Sequence, residues 1–439
     1  MRFSAAGLAT TVGGTLAGAD VEVEGVGTDS RSLHAGQLFV PLNARRDGHA
    51  FIADAVAAGA PAYLTTGPRM PGATAILVTD PGAALPAIGR AARARLPDCV
   101  VGITGSVGKT TVKELVAGVL STTYRTSASP RSFNNEIGVP LTLANAGDDT
   151  EAAVVEMGAR GGGHIRYLCQ IAEPTIGVVT RIGQAHTEQF GDADRVAAAK
   201  AELVESLPAS GTAVLNADDH RVLAMRNRTD GQVVLFGISP LADITAHGIV
   251  LDELARPSFR LMTPEGSADV RLALHGRHQV SNALAAAGVA LAANVSFAAI
   301  AEGLGGVVPP QWRMSIQCPR AGILLVNDAY NANPTSMQAA LEALAAIDAS
   351  RRIAVLGEMT ELGPSSADDH RKVVDIAASL GIALIPYRTE SYGTPAVSSN
   401  QELVERLEPF HRGDAILVKA SRALGLETLI DVLASNIAR

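Results

Sequence analysis

The sequence predicts an α/β protein of three domains, with a central parallel sheet and a C-terminal Rossmann-like doubly wound domain. Three observations carry that expectation. Short apolar runs alternate with segments whose apolar residues recur at helical spacing. A glycine-rich turn around Gly105 joins one such run to one such segment. At 439 residues, the chain is also too long for a single hydrophobic core.

Taken in order, the stretch after Arg2 is apolar but broken by threonines and glycines, and only that one basic residue precedes it. It reads as the first helix and strand of a domain rather than a secretion leader. Residues 21–26 and 37–42 suit strands, 50–58 a helix and 75–78 another strand, giving an N-terminal domain over 1–85. A helix over 83–95 then opens a central domain, 86–308. Within it 99–103 reads as a buried strand, 111–120 as a helix, and 152–156, 177–180 and 212–216 as apolar strands ending on polar residues. Ligands of open α/β sheets bind beyond the carboxyl ends of strands, so Glu156, Thr180-Arg181 and Asn216 fall where chemistry would sit. Pro309-Pro310 marks a hinge. In the last domain, 309–439, strands over 323–326, 352–356, 383–386 and 415–418 alternate with helices.

Bulk properties narrow the function. A net charge of −8 and a pI near 5.7 exclude a nucleic-acid scaffold, which needs a basic face. No run approaches the roughly 20 apolar residues of a membrane span. Three scattered cysteines, Cys99, Cys169 and Cys318, fit free thiols in a reducing compartment, so a cytoplasmic protein is expected.

The turn itself reads Gly102-Ile-Thr-Gly105-Ser106-Val-Gly108-Lys109-Thr110-Thr111. Its glycines let backbone N–H groups converge on a polyphosphate at a helix N-terminus. Lys109 would reach the outer phosphates and the Thr110 hydroxyl would ligate Mg²⁺. The spacing departs from the common phosphate loop, with two residues rather than four between Gly105 and Gly108. A tight strand-to-helix connection is the bland alternative, but Lys-Thr at the helix start favours nucleotide and a P-loop ATPase-type sheet. Glu156, His186 and Lys200 are the candidates for metal work. Mg²⁺ prefers hard oxygen ligands, which suits Glu156 with Thr110. An ammonium beside that cation would be repelled, whereas a lysine carbamylated by CO₂ offers oxygen. Taken singly, a helical lysine is usually surface and a lone histidine usually non-catalytic.

Their order along the chain changes that reading. Ser132-Phe-Asn134-Asn135-Glu-Ile-Gly138-Val-Pro140, then Glu156-Met-Gly, then Gly183-Gln-Ala-His186-Thr-Glu-Gln-Phe-Gly191, then Ala199-Lys200-Ala-Glu closely resemble the Mur ligase family. The resemblance runs nearly end to end and implies an ATP-dependent acid–amine ligase of cell-wall precursor synthesis. The most specific motif is Asn327-Asp328-Ala-Tyr330-Asn331-Ala-Asn333-Pro334, followed by Leu356-Gly-Glu358 and Val418-Lys419-Ala-Ser421-Arg422. Its closest likeness is to family members that add D-alanyl-D-alanine to UDP-N-acetylmuramoyl-tripeptide.

That resemblance implies roles residue by residue. Lys200 would be carbamylated, and Glu156 and His186 would hold Mg²⁺. Asn282, in Gly276-Arg-His278-Gln279-Val-Ser-Asn282, matches the family's adenine contact, although an asparagine there could also be a helix cap. Arg313 and Asp328 resemble contacts to phosphate and ribose, which implies closure of the last domain over ATP. Thr28-Asp29-Ser30-Arg31 and Arg46-Asp47-Gly48-His49 match UDP-sugar segments; on their own they read as turns. Asn134, Asn135, Arg181, Tyr330, Asn331 and Asn333 would face the substrates, and the family implies a monomer.

Three departures stand out: Arg181 where the family usually has asparagine, Gln279 for asparagine, and Ala420 for glycine. Arg181 would contact a substrate anion or pair with a local acid, Glu188 or Asp192. Two other functions compete: a paralogous amide ligase of specialised metabolism, and a nucleotide-gated binding protein.

Overall fold

The computed structural model describes residues 1–43, 46–183, 191–320 and 322–438. The apolar run before the glycine turn becomes Val100–Thr104, buried at every position. It lies inside a parallel sheet ordered Gln232–Phe236, Thr212–Asn216, Ile176–Val179, Val100–Thr104, Ala152–Glu156, Thr126–Ala128. Continuous burial is what a parallel strand covered on both faces requires. Alternate residues feed two cores. Val101, Ile103 and Val154 pack with Leu115 of the helix Lys109–Leu120 and with Ala283 of Gln279–Ala292. Val100, Val155 and Val179 pack with Ile88, Leu168 and Leu203 from the helices Pro81–Arg93, His164–Ala172 and Ala193–Glu205. The chain leaves Val100–Thr104 toward one edge and later returns to its other side, so a crevice opens beyond the carboxyl end of this strand.

The C-terminal sheet runs Ser315–Arg320, Ile323–Asn327, Asp414–Lys419, Arg351–Leu356, Ala383–Pro386, with only the first strand antiparallel. Its two faces carry separate cores, one under Pro334–Ala346 and Ser366–Ser379, the other under Asn400–Leu407 and Glu427–Ala438. Asp328 and Lys419 therefore stand at adjacent strand ends, since Asn327 and Val418 are register partners.

Local boundaries differ from the expected ones for identifiable reasons. The strand expected over 21–26 splits at Gly25, whose φ of 79° turns the chain. Glu22–Glu24 pairs with Arg2–Ser4, while Val26–Gly27 joins a five-stranded sheet beside Leu38–Phe39. The helix expected from 83 starts at Pro81, because Asp80 accepts from the Gly82 and Ala83 N–H groups and proline fits a first turn. The helix expected from 111 starts at Lys109. The helix expected over 50–58 becomes a 3₁₀ turn, Gly48–Phe51, continued by Ile52–Ala57. An antiparallel sheet, Thr245–Leu251, Pro257–Thr263 and Gly266–Arg271, was not anticipated. The hinge proline pair lies in a link, 307–314, without helix or strand.

Asn145, at the end of the helix Gly138–Ala144, ties the N-terminal sheet to that helix. Its Oδ1 accepts from the Val26 N–H at 3.0 Å and from Gln37 Nε2 at 3.0 Å. Its Nδ2 donates to Val26 C=O at 2.8 Å and Leu141 C=O at 2.9 Å. Every hydrogen-bonding valence of the amide is used. Asn145→Ala strands these partners, and a loss of about 1–3 kcal/mol is expected in urea unfolding; an unchanged midpoint would show that the joint does not depend on this amide.

Candidate active site

Beyond the carboxyl end of Val100–Thr104 lies a cleft of about 490 Å³, walled by the central and C-terminal sheets. Two glycines shape its floor. Gly105 has φ 148°, and a Cβ there would collide with the Thr180 hydroxyl. Gly108 has φ 84°, and a Cβ would sit 2.7 Å from Asn282 Oδ1. Left-handed backbone without side chains aims the loop at the N-terminus of Lys109–Leu120, where no side chain caps the helix. The Ser106 N–H donates to Arg181 C=O at 2.7 Å, and Thr180 Oγ1 donates to Val107 C=O at 2.6 Å, which braces the loop from the next strand.

Thr110 is the meeting point of the site. Its hydroxyl lies 2.9 Å from Glu156 Oε2 and 3.1 Å from Ser132 Oγ, and accepts from Arg313 Nη2 at 3.0 Å. Asn134 Nδ2 donates to the other Glu156 oxygen at 2.8 Å. Lys109 curls back so that its ammonium donates to Gly105 C=O at 2.8 Å. Burial pushes the Lys109 pKa down; Glu156 opposes that shift and Arg313 adds to it. Lys200, which as a lone helical lysine would be expected at the surface, is instead buried and lines the cleft.

The C-terminal wall supplies Arg313, stacked 4.1 Å above the Tyr330 ring, with a buried Nε that has no partner among the described residues. Asp328 accepts from Lys419 Nζ at 2.6 Å and from the Met314 N–H at 3.1 Å. Lys419 also donates to Asn331 C=O. Asn282 lies inside a helix and donates to Gln279 Oε1 at 2.8 Å, so it is not a cap. Asn135 and Asn333 line the cleft, but both use their side-chain oxygens locally. Asn135 accepts from the Gly138 N–H, and Asn333 forms a capping box with Ser336.

Thr111 and Arg181 also line the cleft, with Arg181 exposed. Among the described residues no acid pairs with Arg181; Asp192 instead caps Ala193–Glu205 and lies 3.8 Å from Arg195. His186 and Glu188 lie outside the described residues. The N-terminal candidates line none of this cleft. Asp29 grips the Arg31 guanidinium at 2.9 and 2.6 Å, which holds its pKa down at about 2, with Ser30 between them. Asp47 accepts from the His49 backbone and lies 2.7 Å from its Nδ1, fixing the turn that begins at Gly48. No local sequence signal marks Ser132 or Lys419 as part of the site; their place there depends on contacts with distant segments.

A phosphate-cradling loop facing a buried carboxylate, with a second α/β domain lending an arginine, defines a phosphoryl-transferring enzyme of the P-loop class. Comparison with known proteins makes this specific. Residues 103–290 match the Mur ligase middle domain, and 312–436 match the Mur ligase, glutamate ligase domain. The UDP-N-acetylmuramoyl-tripeptide--D-alanyl-D-alanine ligase of Mycobacterium tuberculosis is 38% identical, over 93% of this chain and 91% of its own. A crystal structure of MurF from Acinetobacter baumannii superposes with a TM-score of 0.87 at 30% identity, covering 99% of both chains. MurF ligase from Thermotoga maritima in complex with ADP gives 0.83 at 26%, covering 94% of this chain and 98% of that one. The chain belongs to the Mur ligase family.

Burial lowers the Lys200 pKa from 10.5 to about 7, with the charge of Lys109 as the next cause. Between those values the unfolded chain holds a proton that the folded chain has released, so stability rises with pH across that window. Below pH 7 both states are protonated and the destabilisation is complete. Lys200→Met in CO₂-free buffer is therefore expected to be more stable than the parent below pH 7, by roughly 2–5 kcal/mol. The gap should close toward pH 10.5. Urea melts at several pH values check this; a gap that ignores pH contradicts it.

Proposed function

We propose that this chain joins D-alanyl-D-alanine to UDP-N-acetylmuramoyl-tripeptide at the expense of ATP, in peptidoglycan precursor synthesis. Relatives bearing that name along nearly their whole length support the reading, and so does the ADP complex of the Thermotoga maritima protein. The observation that carries it is the convergence of Lys109, Arg313 and the Thr110–Glu156 pair at one helix N-terminus.

A carboxylate cannot expel oxide, so amide formation needs an activated donor. The donor carboxylate attacks the γ-phosphorus of ATP; an O–P bond forms, the bond to the β-phosphate oxygen breaks, and ADP leaves. Two anions must approach each other, and Lys109, Arg313 and the loop N–H groups reduce their repulsion. Removing one such group costs on the order of 10²–10³ in rate. The acceptor amine then attacks the acyl carbon. A C–N bond forms, the C–O bond to phosphate breaks, phosphate departs and the nitrogen gives up its proton. Walls from two domains exclude water that would hydrolyse the acyl phosphate.

Glu156 and the Thr110 hydroxyl fit a small hard cation, being a buried carboxylate and a phosphate-loop oxygen held 2.9 Å apart. With His186, they would hold Mg²⁺, which when bound would neutralise phosphate charge. Lys200, its pKa pushed down to about 7, presents enough neutral amine to react with CO₂. Its nitrogen attacks carbon, an N–C bond forms and a proton leaves, so a carbamate oxygen anion replaces an unfavourable buried cation. Residues 1–85, carrying Asp29–Arg31 and Asp47–His49, would hold the UDP-sugar, 86–308 the ATP and 309–439 the acceptor. The protein would act in the cytoplasm as a monomer.

Phosphate release from ATP is expected only when both UDP-muramoyl-tripeptide and D-alanyl-D-alanine are present; release with either alone, or with neither, refutes the assignment. Lys200→Ala should lose most of that activity and regain part of it with short carboxylic acids. Full activity in the variant would rule out the carbamate.

Arg181 bears on the choice between this ligase and a paralogue with another donor, because it stands exposed in the cleft at a position where the family resemblance leads one to expect asparagine. Contact with the γ-phosphate or donor carboxylate means that Arg181→Asn lowers turnover by roughly 1.5–3 kcal/mol of transition-state free energy. Unchanged turnover with a lowered melting temperature would assign the side chain to a local ion pair.

A further inference from the structure

The helix that begins at the phosphate loop carries a second lysine that the chemistry above does not use. Lys113 is 1% exposed and lines no part of the cleft. Its ammonium lies 2.7 Å from Ser129 C=O, 2.7 Å from Arg131 C=O and 2.7 Å from Glu114 Oε1. Three protons meet three acceptors, so the group is saturated and fixed. Two of those acceptors belong to the segment that holds the carboxylate. Ser129 Oγ accepts from the Glu156 N–H at 3.1 Å, Ser132 Oγ touches Thr110 at 3.1 Å, and Asn134 Nδ2 donates to Glu156 at 2.8 Å. Between them Arg131 holds a left-handed φ of 51°, a conformation that needs support from its surroundings.

We propose that Lys113 is a positioning residue for the cation and nucleotide. It binds the 129–134 segment to the phosphate-loop helix, and so fixes the separation of the Thr110 hydroxyl from the Glu156 carboxylate without touching either ligand. The inference rests on the nucleotide and cation site proposed above. A hydrogen bond behind a ligating group commonly changes metal affinity by about 10–100-fold when lost. Lys113→Met keeps most of the side-chain volume and leaves the Ser129 and Arg131 carbonyls without their donor.

The test is calorimetric titration of the full chain with ADP, with and without Mg²⁺, beside a thermal melt. Lys113→Met is expected to bind ADP alone within about twofold of the parent, because the phosphate loop is intact. The factor by which Mg²⁺ tightens ADP should fall about tenfold. An unchanged Mg²⁺ factor overturns the proposal, as does an equal loss of ADP affinity with and without the cation, which would mark a general weakening of the helix. A parent chain whose ADP affinity ignores Mg²⁺ overturns it as well. Should Lys113→Met fail to fold, Lys113→Gln is judged by the same criterion, and failure of both to melt cooperatively assigns Lys113 to folding alone. Neither donor nor acceptor enters this measurement, so failure of the ligase reading shows in phosphate release and leaves the result on Lys113 standing.

Discussion

An excess of positive charge around one buried carboxylate governs the architecture of the site. The buried Lys200 and the half-buried Lys109 and Arg313 gather near the Glu156 carboxylate, with Glu202 also close to Lys200. Burial and the charge of Lys109 lower the Lys200 pKa to about 7, which sheds part of that excess, while Arg313 donates to the Thr110 hydroxyl and keeps its charge. The Arg313 Nε is left without a hydrogen-bond partner among the described residues. A site with such an imbalance favours polyanions, and a triphosphate approaching a carboxylate is the kind of ligand pair that relieves it.

The rest of the fold keeps that charge in register. Parallel strands buried at every position set the heights of Thr104, Glu156 and Thr180, because register partners cannot slip without exposing a whole apolar face. Glycines at 105 and 108 let the loop pass close to Thr180 and Asn282, where a Cβ would collide with their side chains. The C-terminal sheet works the same way at its own strand ends, where Asp328 and Lys419 form a buried pair that holds Asn331 and the Met314 backbone in place. Burial lowers the Lys419 pKa and Asp328 opposes the shift; through its bond to the Met314 N–H, the pair braces the link from residue 307 against the cleft wall.

The N-terminal candidates form a separate locus. Asp29 with Arg31, and Asp47 with His49, are short-range pairs in turns beside the N-terminal sheet, and His49 Nε2 also accepts from the Thr66 N–H at 3.2 Å. The N-terminal sheet also shares an apolar core with the central helices, in which Val26 and Ile76 lie with Ile88 and Val139.

Sequence alone determined what depends on neighbours along the chain. The glycine turn with Lys109 and Thr110, the strand ends at Glu156 and Asn216, and the alternation of strands and helices are local patterns, and they were legible because a strand or a helix start needs only nearby residues. Family motifs supplied Lys200 and Arg313, whose roles no local rule reveals. Tertiary structure decided what depends on distance. It brought Arg313 onto Thr110 across 203 positions and showed Asn135 and Asn333 engaged at helix starts. It split the strand expected over 21–26 between two sheets, and it turned Lys113, indistinguishable in sequence from a solvated helical lysine, into a buried clamp. Burial and charge balance are properties of the packed whole, so a residue's pKa and its partners emerge only once distant strands have met.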